Sequence, residues 1–247
     1  MNMYNFFVDP SQIQGNEVRI TGSDVNHIKN VLRMKIGEEL SVSNGMDDRE
    51  YRCGIEGFDE GCVICGVRFV KETDIELPSR VYLFQGLPKG DKMELIVQKA
   101  VELGVYEIIP VAARRAVVKL DEKKEKSKIA RWQGIAEAAA KQSRRRIIPA
   151  VQKVMTMKEA VAYASAMDVR LIPYEMAEGM DKTRKIIESL KPGQSIAVFI
   201  GPEGGFEESE IEAAEAAGFC PITMGKRILR TETAGFTILA WIMYRLE

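Results

Sequence analysis

The spacing of apolar residues changes about a third of the way along this chain. Up to about residue 74, apolar and polar positions alternate in short runs: Asn5 to Val8, Glu17 to Ile20, Glu39 to Ser43, Glu50 to Phe58 and Cys62 to Lys71. A period of two predicts half-buried strands, and Asn44-Gly45 is a turn signal between two of them. One stretch departs from the rule. Ser23 to Leu32 has helical spacing, with Ser23 in position to cap it. Many short strands joined by turns predict a small β-barrel over residues 1–74.

Leu77-Pro78-Ser79 marks the boundary, and residues 75–247 form a second domain with a different rhythm. Val81 to Gln85 predicts a strand, and Asp91 to Leu103 a helix closed by Gly104. Tyr106 to Val111 follows as a strand, then Glu122 to Gln142 as a long alanine-rich helix. Val169 to Ile172 reads as a strand ended by Pro173, and Thr183 to Leu190 as a helix. Ser195 to Ile200, Glu207 to Ala217, Pro221 to Thr223 and Thr231 to Leu246 continue as strand, helix, strand and helix. Alternating strands and helices predict an α/β fold with a mostly parallel sheet, which the pattern alone would call doubly wound.

Composition adds limits. The apolar share of 46% and the charged share of 29% are those of an ordinary soluble globular protein. No apolar run approaches the roughly 18 residues of a membrane span. Met1 to Asp9 lacks the basic region and apolar core of a signal peptide, so the expected compartment is the cytoplasm. Cys62 and Cys65 form a C-x-x-C, but the run around them reads as a strand and no second pair accompanies them. His27 is the only histidine, so no zinc site and no metal are expected. The net charge of −1 conceals a segregation. Arg114 to Arg146 holds 12 Lys or Arg against 4 Asp or Glu, a local +8 that leaves −9 elsewhere. Such a basic segment is a footprint of RNA contact, although Glu122, Glu125 and Glu137 within it also allow a solvated helix face.

The chemistry concentrates near the C-terminus. The strand ending at Ile200 runs into Gly201-Pro202-Glu203-Gly204-Gly205-Phe206, and a second loop, Gly225-Lys226-Arg227-Ile228-Leu229-Arg230, precedes the last helix. Loops leaving neighbouring strand ends are where α/β sheets bind ligands. The first loop is neither a P-loop nor a G-x-G-x-x-G fingerprint. Glu203 inside it and Glu207, Glu208 and Glu210 after it would repel phosphate, so the loop suits a ligand with neutral or positive groups. Its glycines point to close backbone approach or to positive φ. The residues alone also allow a plain strand-to-helix turn with no ligand.

This pair of loops closely resembles the RsmE family of SPOUT methyltransferases. Further matching pieces are His27 with Val31-Leu32-Arg33, Leu87-Pro88-Lys89-Gly90-Asp91-Lys92-Met93-Glu94, Gln98-Lys99-Ala100 with Glu102-Leu103-Gly104, and Lys141-Gln142-Ser143 with Arg145. Together they cover nearly the whole chain. Tyr4-Asn5 stand where the family often carries an arginine. The resemblance implies a PUA-like β-barrel that helps to dock RNA, followed by a SPOUT α/β domain with a C-terminal trefoil knot. It implies methylation of uridine N3 in the decoding region of 16S ribosomal RNA, in the small subunit, with S-adenosyl-L-methionine as cofactor. A homodimer is implied as well. The apolar residues Ala234, Phe236, Ile238, Leu239, Trp241, Ile242 and Leu246 agree, being spread over more than one face of the last helix.

By the same resemblance, the cofactor is held mainly by backbone groups of three loops. Their candidate residues are Ile172, Tyr174, Ile200, Gly201, Pro202, Glu203, Gly204, Gly205, Met224, Gly225, Ile228, Leu229 and Thr233. Arg230 and Glu232 are the candidate catalytic residues, Arg230 to stabilise a developing uracil anion. Glu232 could instead hold Arg230, and Thr231 could cap the last helix. The candidate RNA contacts are His27, Arg33, Arg114, Lys141, Arg144, Arg145, Arg146 and Arg227. The sulfonium activates the methyl group without a metal. Two other readings stay open: a SPOUT enzyme acting on another RNA such as tRNA, and a non-catalytic RNA-binding module that kept the fold.

Overall fold

The structure is a computed structural model that describes residues 3–177 and 179–247. The chain forms two compact units. One comprises residues 1–76 with 140–148, the other residues 77–139 with 149–247.

In the first unit the strands are β1 (Asn5–Phe7), β2 (Ile13–Gln14), β3 (Glu17–Thr21), β4 (Glu39–Ser43), β5 (Arg49–Asp59) and β6 (Cys62–Glu72), ordered β1-β4-β5-β6-β3-β2. Only the β1–β4 pair is parallel. The period-two pattern sends Val18, Ile20, Leu40, Val42, Ile55 and Val63 into one core at 1% exposure or less. Each such side chain stabilises the fold by about 1.5–3 kcal/mol. Cys53 and Cys65 share this core, where burial pushes their thiols up to about 11 and about 12. The C-x-x-C is thus a strand segment, and the thiol of Cys65 in it is held protonated by burial. Helix α1 (Ser23–Asn26) continues as a π-helical turn over His27–Val31. Gly22, not Ser23, holds the N-cap position.

Residues 140–148, which the sequence reading leaves in the C-terminal domain, belong to this first unit. Arg145 donates through Nε and Nη2 to Glu76 Oε2 at 3.0 and 2.5 Å. Glu76 Oε1 accepts the amides of Arg146 and Ile147 at 2.9 and 3.1 Å. Arg146 Nη2 lies 3.2 Å from Glu50 Oε2, and its Nη1 donates to Ser43 Oγ at 3.3 Å. Both arginines are buried. They belong to the interior and not to an RNA-facing surface, which corrects the expectation for Arg145 and Arg146.

The second unit holds β7 (Arg80–Gly86), α2 (Lys92–Glu102), β8 (Glu107–Ala112), α3 (Glu122–Ser143, its last turn in the first unit), β9 (Ala150–Val151), β10 (Met155–Thr156), α4 (Met157–Ala164), β11 (Val169–Pro173), α5 (Met180–Ser189), β12 (Ser195–Ile200), α6 (Glu208–Ala216), β13 (Cys220–Ile222) and α7 (Thr231–Leu246). The sheet order is β10-β8-β7-β12-β11-β13, with β9 also on β8, and every pair is parallel. Parallel strands covered on both faces read as continuous apolar runs, as Ile196 to Ile200 does, and all five of those residues are buried. Phe84 and Phe199 stack across β7 and β12 at 4.2 Å between centroids. Parallel order brings the C-terminal ends of β8, β7, β12, β11 and β13 to one edge of the sheet.

Glu76→Ala takes the Glu76 carboxylate away from the buried Arg145 guanidinium. The expected cost is about 3–5 kcal/mol, as for other broken buried pairs, read as a lower midpoint in denaturant unfolding.

Candidate active site

Three loops leave the adjacent strands β11, β12 and β13 and enclose a cavity of about 200 Å³. From the first loop come Pro173, Tyr174 and Glu175; from the second, Ile200 to Glu203 with Gly205 and Phe206; from the third, Thr223 to Leu229. Ala234 of α7 completes the lining. The loops are fixed from below. Tyr174 N–H donates to Ile222 O at 3.0 Å. The buried Thr183 hydroxyl donates to Thr223 O at 2.9 Å and accepts the Thr223 amide at 3.2 Å. Gly205 and Gly225 have φ of 68° and 103°, where a Cβ is disfavoured whatever the space.

The middle loop lies directly on its neighbours. A Cβ at Gly86, the last residue of β7, would stand 2.6 Å from Pro202, so only glycine allows this approach. A Cβ at Gly201 would press on the Gly205 backbone at 3.1–3.2 Å. Gly204 faces away from the cavity. Its Cβ would meet Arg115, whose Cβ is 3.1 Å away, and its carbonyl accepts from Arg115 Nη1 at 3.2 Å. The expected contact of Gly204 with a ligand is therefore replaced by packing on the segment after β8.

Thr231 begins α7 at its first helical position and does not cap it; Arg230 holds the N-cap position. The buried Thr231 hydroxyl donates to Gly201 O at 2.6 Å and accepts from Gln85 Nε2 at 2.9 Å. Gln85 is fully buried and also donates to Gly86 O at 3.0 Å, while its Oε1 has no partner among the described residues. Such an orphan costs about 1–3 kcal/mol, which the fold tolerates to keep this amide at the loop. Sequence reasoning gave Gln85 no role, although a polar residue inside the apolar run of β7 was a visible signal.

Lys92, at the start of α2, was also missed. Its Nζ lies 2.8 Å from Glu203 Oε1 and 3.6 Å from Glu232 Oε2, so one ammonium serves a carboxylate of the middle loop and one of the first turn of α7. Glu232 therefore faces Lys92. Arg230 is exposed and makes no ion pair among the described residues. Burial works to raise the Glu203 carboxyl, but hydrogen bonds from Lys92 and from the Glu203 and Lys89 amides outweigh it and hold the group below the usual range. The hydrogen bond to Glu203 in turn pushes Lys92 up.

Of the other expected residues, Tyr174, Ile200, Gly201, Pro202, Glu203, Gly205, Met224, Gly225, Ile228 and Leu229 line the cavity. Ile172 is in the core behind it, and Thr233 is exposed on α7 outside the lining. Arg227, expected on RNA, lines the cavity. The Arg114 amide donates to Glu210 Oε1 at 3.0 Å and its Nη1 to Glu207 Oε2 at 3.2 Å. Those two carboxylates thus serve the loop after β8. His27, Arg33, Lys141 and Arg144 are exposed in the first unit.

Comparison with known proteins agrees in both halves. The family model of an RNA methyltransferase domain matches residues 75–243, and that of an RNA methyltransferase PUA domain matches residues 20–63. The ribosomal RNA small subunit methyltransferase E of Bacillus subtilis is 38% identical over 99% of this chain and 98% of its own. Its counterpart from Mesomycoplasma hyopneumoniae is 33% identical, over 96% and 97%. The crystal structure of the Neisseria gonorrhoeae ribosomal RNA small subunit methyltransferase E, bound to S-adenosyl methionine, superposes with a TM-score of 0.81 at 30% identity, covering 98% of each chain.

The Glu203 carboxyl should titrate below the ordinary 4.5, and Lys92→Met should move it upward, both read by carbon NMR of the labelled side chain. A depressed carboxyl contributes stability that is present above its unfolded value. That contribution is lost as pH falls through the folded value, so the Lys92–Glu203 link opens only in acid.

Proposed function

This chain belongs to the ribosomal RNA small subunit methyltransferase E family, and on that premise we propose that it transfers the methyl group of S-adenosyl-L-methionine to N3 of a uridine in the decoding region of 16S ribosomal RNA. The observation that carries this reading is the cavity walled by the three loops after β11, β12 and β13. The cavity fits such a cofactor. Its lining includes Ile200, Phe206 and Leu229 as apolar surface for a nucleoside, and Gly205 and Gly225 leave open space where a Cβ would stand.

When bound, the cofactor supplies a methyl group activated by a sulfonium. The residues of the chain do the positioning. Tyr174, Ile200 to Glu203, Gly205, Met224, Gly225, Ile228 and Leu229 hold the nucleoside and methionine portions. Arg230 offers its guanidinium to the uracil oxygens as N3 gives up its proton to solvent, and so favours the anion that attacks. Lys92 offsets part of the negative charge of Glu203 and Glu232 beside the site. The link from Thr231 to Gly201 fixes Arg230 relative to the cavity.

Three finer features belong to the same reading. The C-terminal segment threads the trefoil knot of the family; the return of α7 to Gly201 and Gln85 supports this. The protein is a homodimer; Tyr244, 87% exposed beside the half-buried Trp241 on α7, supports a partner surface there. The first unit docks RNA, with His27, Arg33, Lys141 and Arg144 as exposed contacts. Light scattering at micromolar concentration should give about twice the 27.7 kDa of one chain.

Mass mapping of modified nucleosides in ribosomal RNA, from cells with and without the gene, tests the activity. Loss of the gene should remove one methylated uridine from the small-subunit RNA; an unchanged map refutes the reading. Two variants should separate binding from chemistry. Arg230→Ala should bind cofactor and RNA normally while single-turnover transfer falls by about 10²–10³, the loss seen on removing one anion-stabilising donor. Gly201→Ala should weaken cofactor binding as well as slow transfer. Its Cβ must displace the loop, and a misplacement of about 1 Å costs about 10²-fold in rate.

A further inference from the structure

Gly204 and Gly205 are the one Gly-Gly pair in the chain. They lie in the loop after β12, and Gly205 lines the cavity. Two adjacent glycines leave the peptide unit between them free to turn over, because neither carries a Cβ to oppose the rotation. In this loop both ends of that unit are held. Its N–H, from Gly205, donates to Pro202 O at 2.9 Å. Its carbonyl, from Gly204, accepts from Arg115 Nη1 at 3.2 Å.

Gly204 is not among the glycines with positive φ, so its own backbone does not demand glycine. Arg115 does. A Cβ at position 204 would stand 3.1 Å from Arg115 Cβ, 3.4 Å from Arg115 O and 3.7 Å from Arg115 Cδ. The arginine stem thus lies flat against the loop, and the loop gives up a side chain to admit it. Arg115 also has a fixed base. It belongs to a turn after β8 that is closed by Ala116 N–H donating to Ala113 O at 3.0 Å. Ala113 is in the core, and the neighbouring Arg114 amide donates to the buried Glu210 at 3.0 Å. The Arg115 guanidinium makes no ion pair among the described residues, and its hydrogen bond there is the one to Gly204. The rest of the loop is anchored elsewhere, Gly201 on Thr231 and Glu203 on Lys92 and the Lys89 amide.

We propose that Arg115 is a positioning residue for S-adenosyl-L-methionine, acting through the Gly204 carbonyl to hold the Gly204–Gly205 peptide in the orientation that forms the cavity wall. This rests on the reading of the cavity as the cofactor site and adds a residue that lies outside its lining. Without the arginine the loop is in its binding orientation for only a fraction of the time, and the apparent cofactor affinity falls by that fraction. Bound cofactor restores the orientation. Arg115 therefore governs KM for the cofactor and not kcat, which sets it apart from Arg230.

The test compares full-length wild type with Arg115→Met, which keeps the stem on Gly204 and loses the donor, and with Arg115→Lys, which keeps a donor. Calorimetric titration gives the Kd for S-adenosyl-L-methionine. Methyl transfer to small-subunit ribosomal RNA from cells lacking the gene, at varied cofactor, gives KM and kcat; RNA affinity and thermal unfolding complete the set. Arg115→Met should raise Kd and KM about three- to tenfold, the weight of one hydrogen bond from a charged, exposed donor. Its rate at saturating cofactor, its RNA affinity and its unfolding midpoint should match the wild type, and Arg115→Lys should recover part of the lost affinity. Unchanged cofactor affinity in Arg115→Met overturns the proposal. So does a fall in kcat as large as the rise in Kd, which would place the arginine in the chemistry. So does weaker RNA binding with unchanged cofactor affinity, which would make it a substrate contact. So does a clearly lowered midpoint in both variants, which would make it part of the fold, and so does an affinity in Arg115→Lys no better than in Arg115→Met. Wild-type protein that fails to bind S-adenosyl-L-methionine would instead refute the reading of the cavity, whatever the arginine variants do.

Discussion

One hydroxyl group, that of Thr231, ties together three segments distant in sequence. It accepts from Gln85 at the end of β7 and donates to Gly201 at the end of β12, while its own backbone begins α7. All three groups are buried or nearly so, and a bond lost there strands polar atoms away from water. The geometry of the cavity depends on it. Gly201 sets the middle loop, and the start of α7 carries Arg230 at its N-cap and Glu232 in its first turn. A methyl transfer in which the protein supplies position more than chemistry needs these pieces fixed to well under an ångström.

The charges around this link are arranged in the same spirit. Lys92 stands between Glu203 of the middle loop and Glu232 of the first turn of α7, so the two carboxylates share one cation. Glu210 serves two backbone amides, those of Glu207 and Arg114. The acidic run after the glycine loop, which reads in sequence as a barrier to phosphate, is in part a set of braces between neighbouring loops.

Much of this was legible beforehand, and the reasons differ by element. β12 and its loop were readable because a buried parallel strand is a continuous apolar run ending in glycines. The strands of the first unit were readable from period two. The placement of residues 140–148 was not, because a cluster of arginines reads as surface unless its carboxylate partners are known. Glu50 and Glu76 lie about 70 or more residues away in sequence. Gly204 was misread for a related reason. Sequence marks a need for glycine but not which neighbour demands it, and here the neighbour is Arg115. Gln85 and Lys92 stood inside recognisable segments, yet their importance comes from a partner 146 residues on for Gln85 and 111 for Lys92.

The return of residues 140–148 to the first unit bears on how the chain is made. An N-terminal domain ordinarily folds as soon as it emerges during synthesis. Here Glu50 and Glu76 must wait for Arg146 and Arg145, which follow only after much of the second unit has been translated. At the usual elongation rate of about 5–20 residues per second, that delay is roughly 4–14 s. During it Glu76 stands in the nascent first unit without Arg145, and Glu50 has Arg52 but not yet Arg146. Its completion is thereby coupled to the progress of translation through α3.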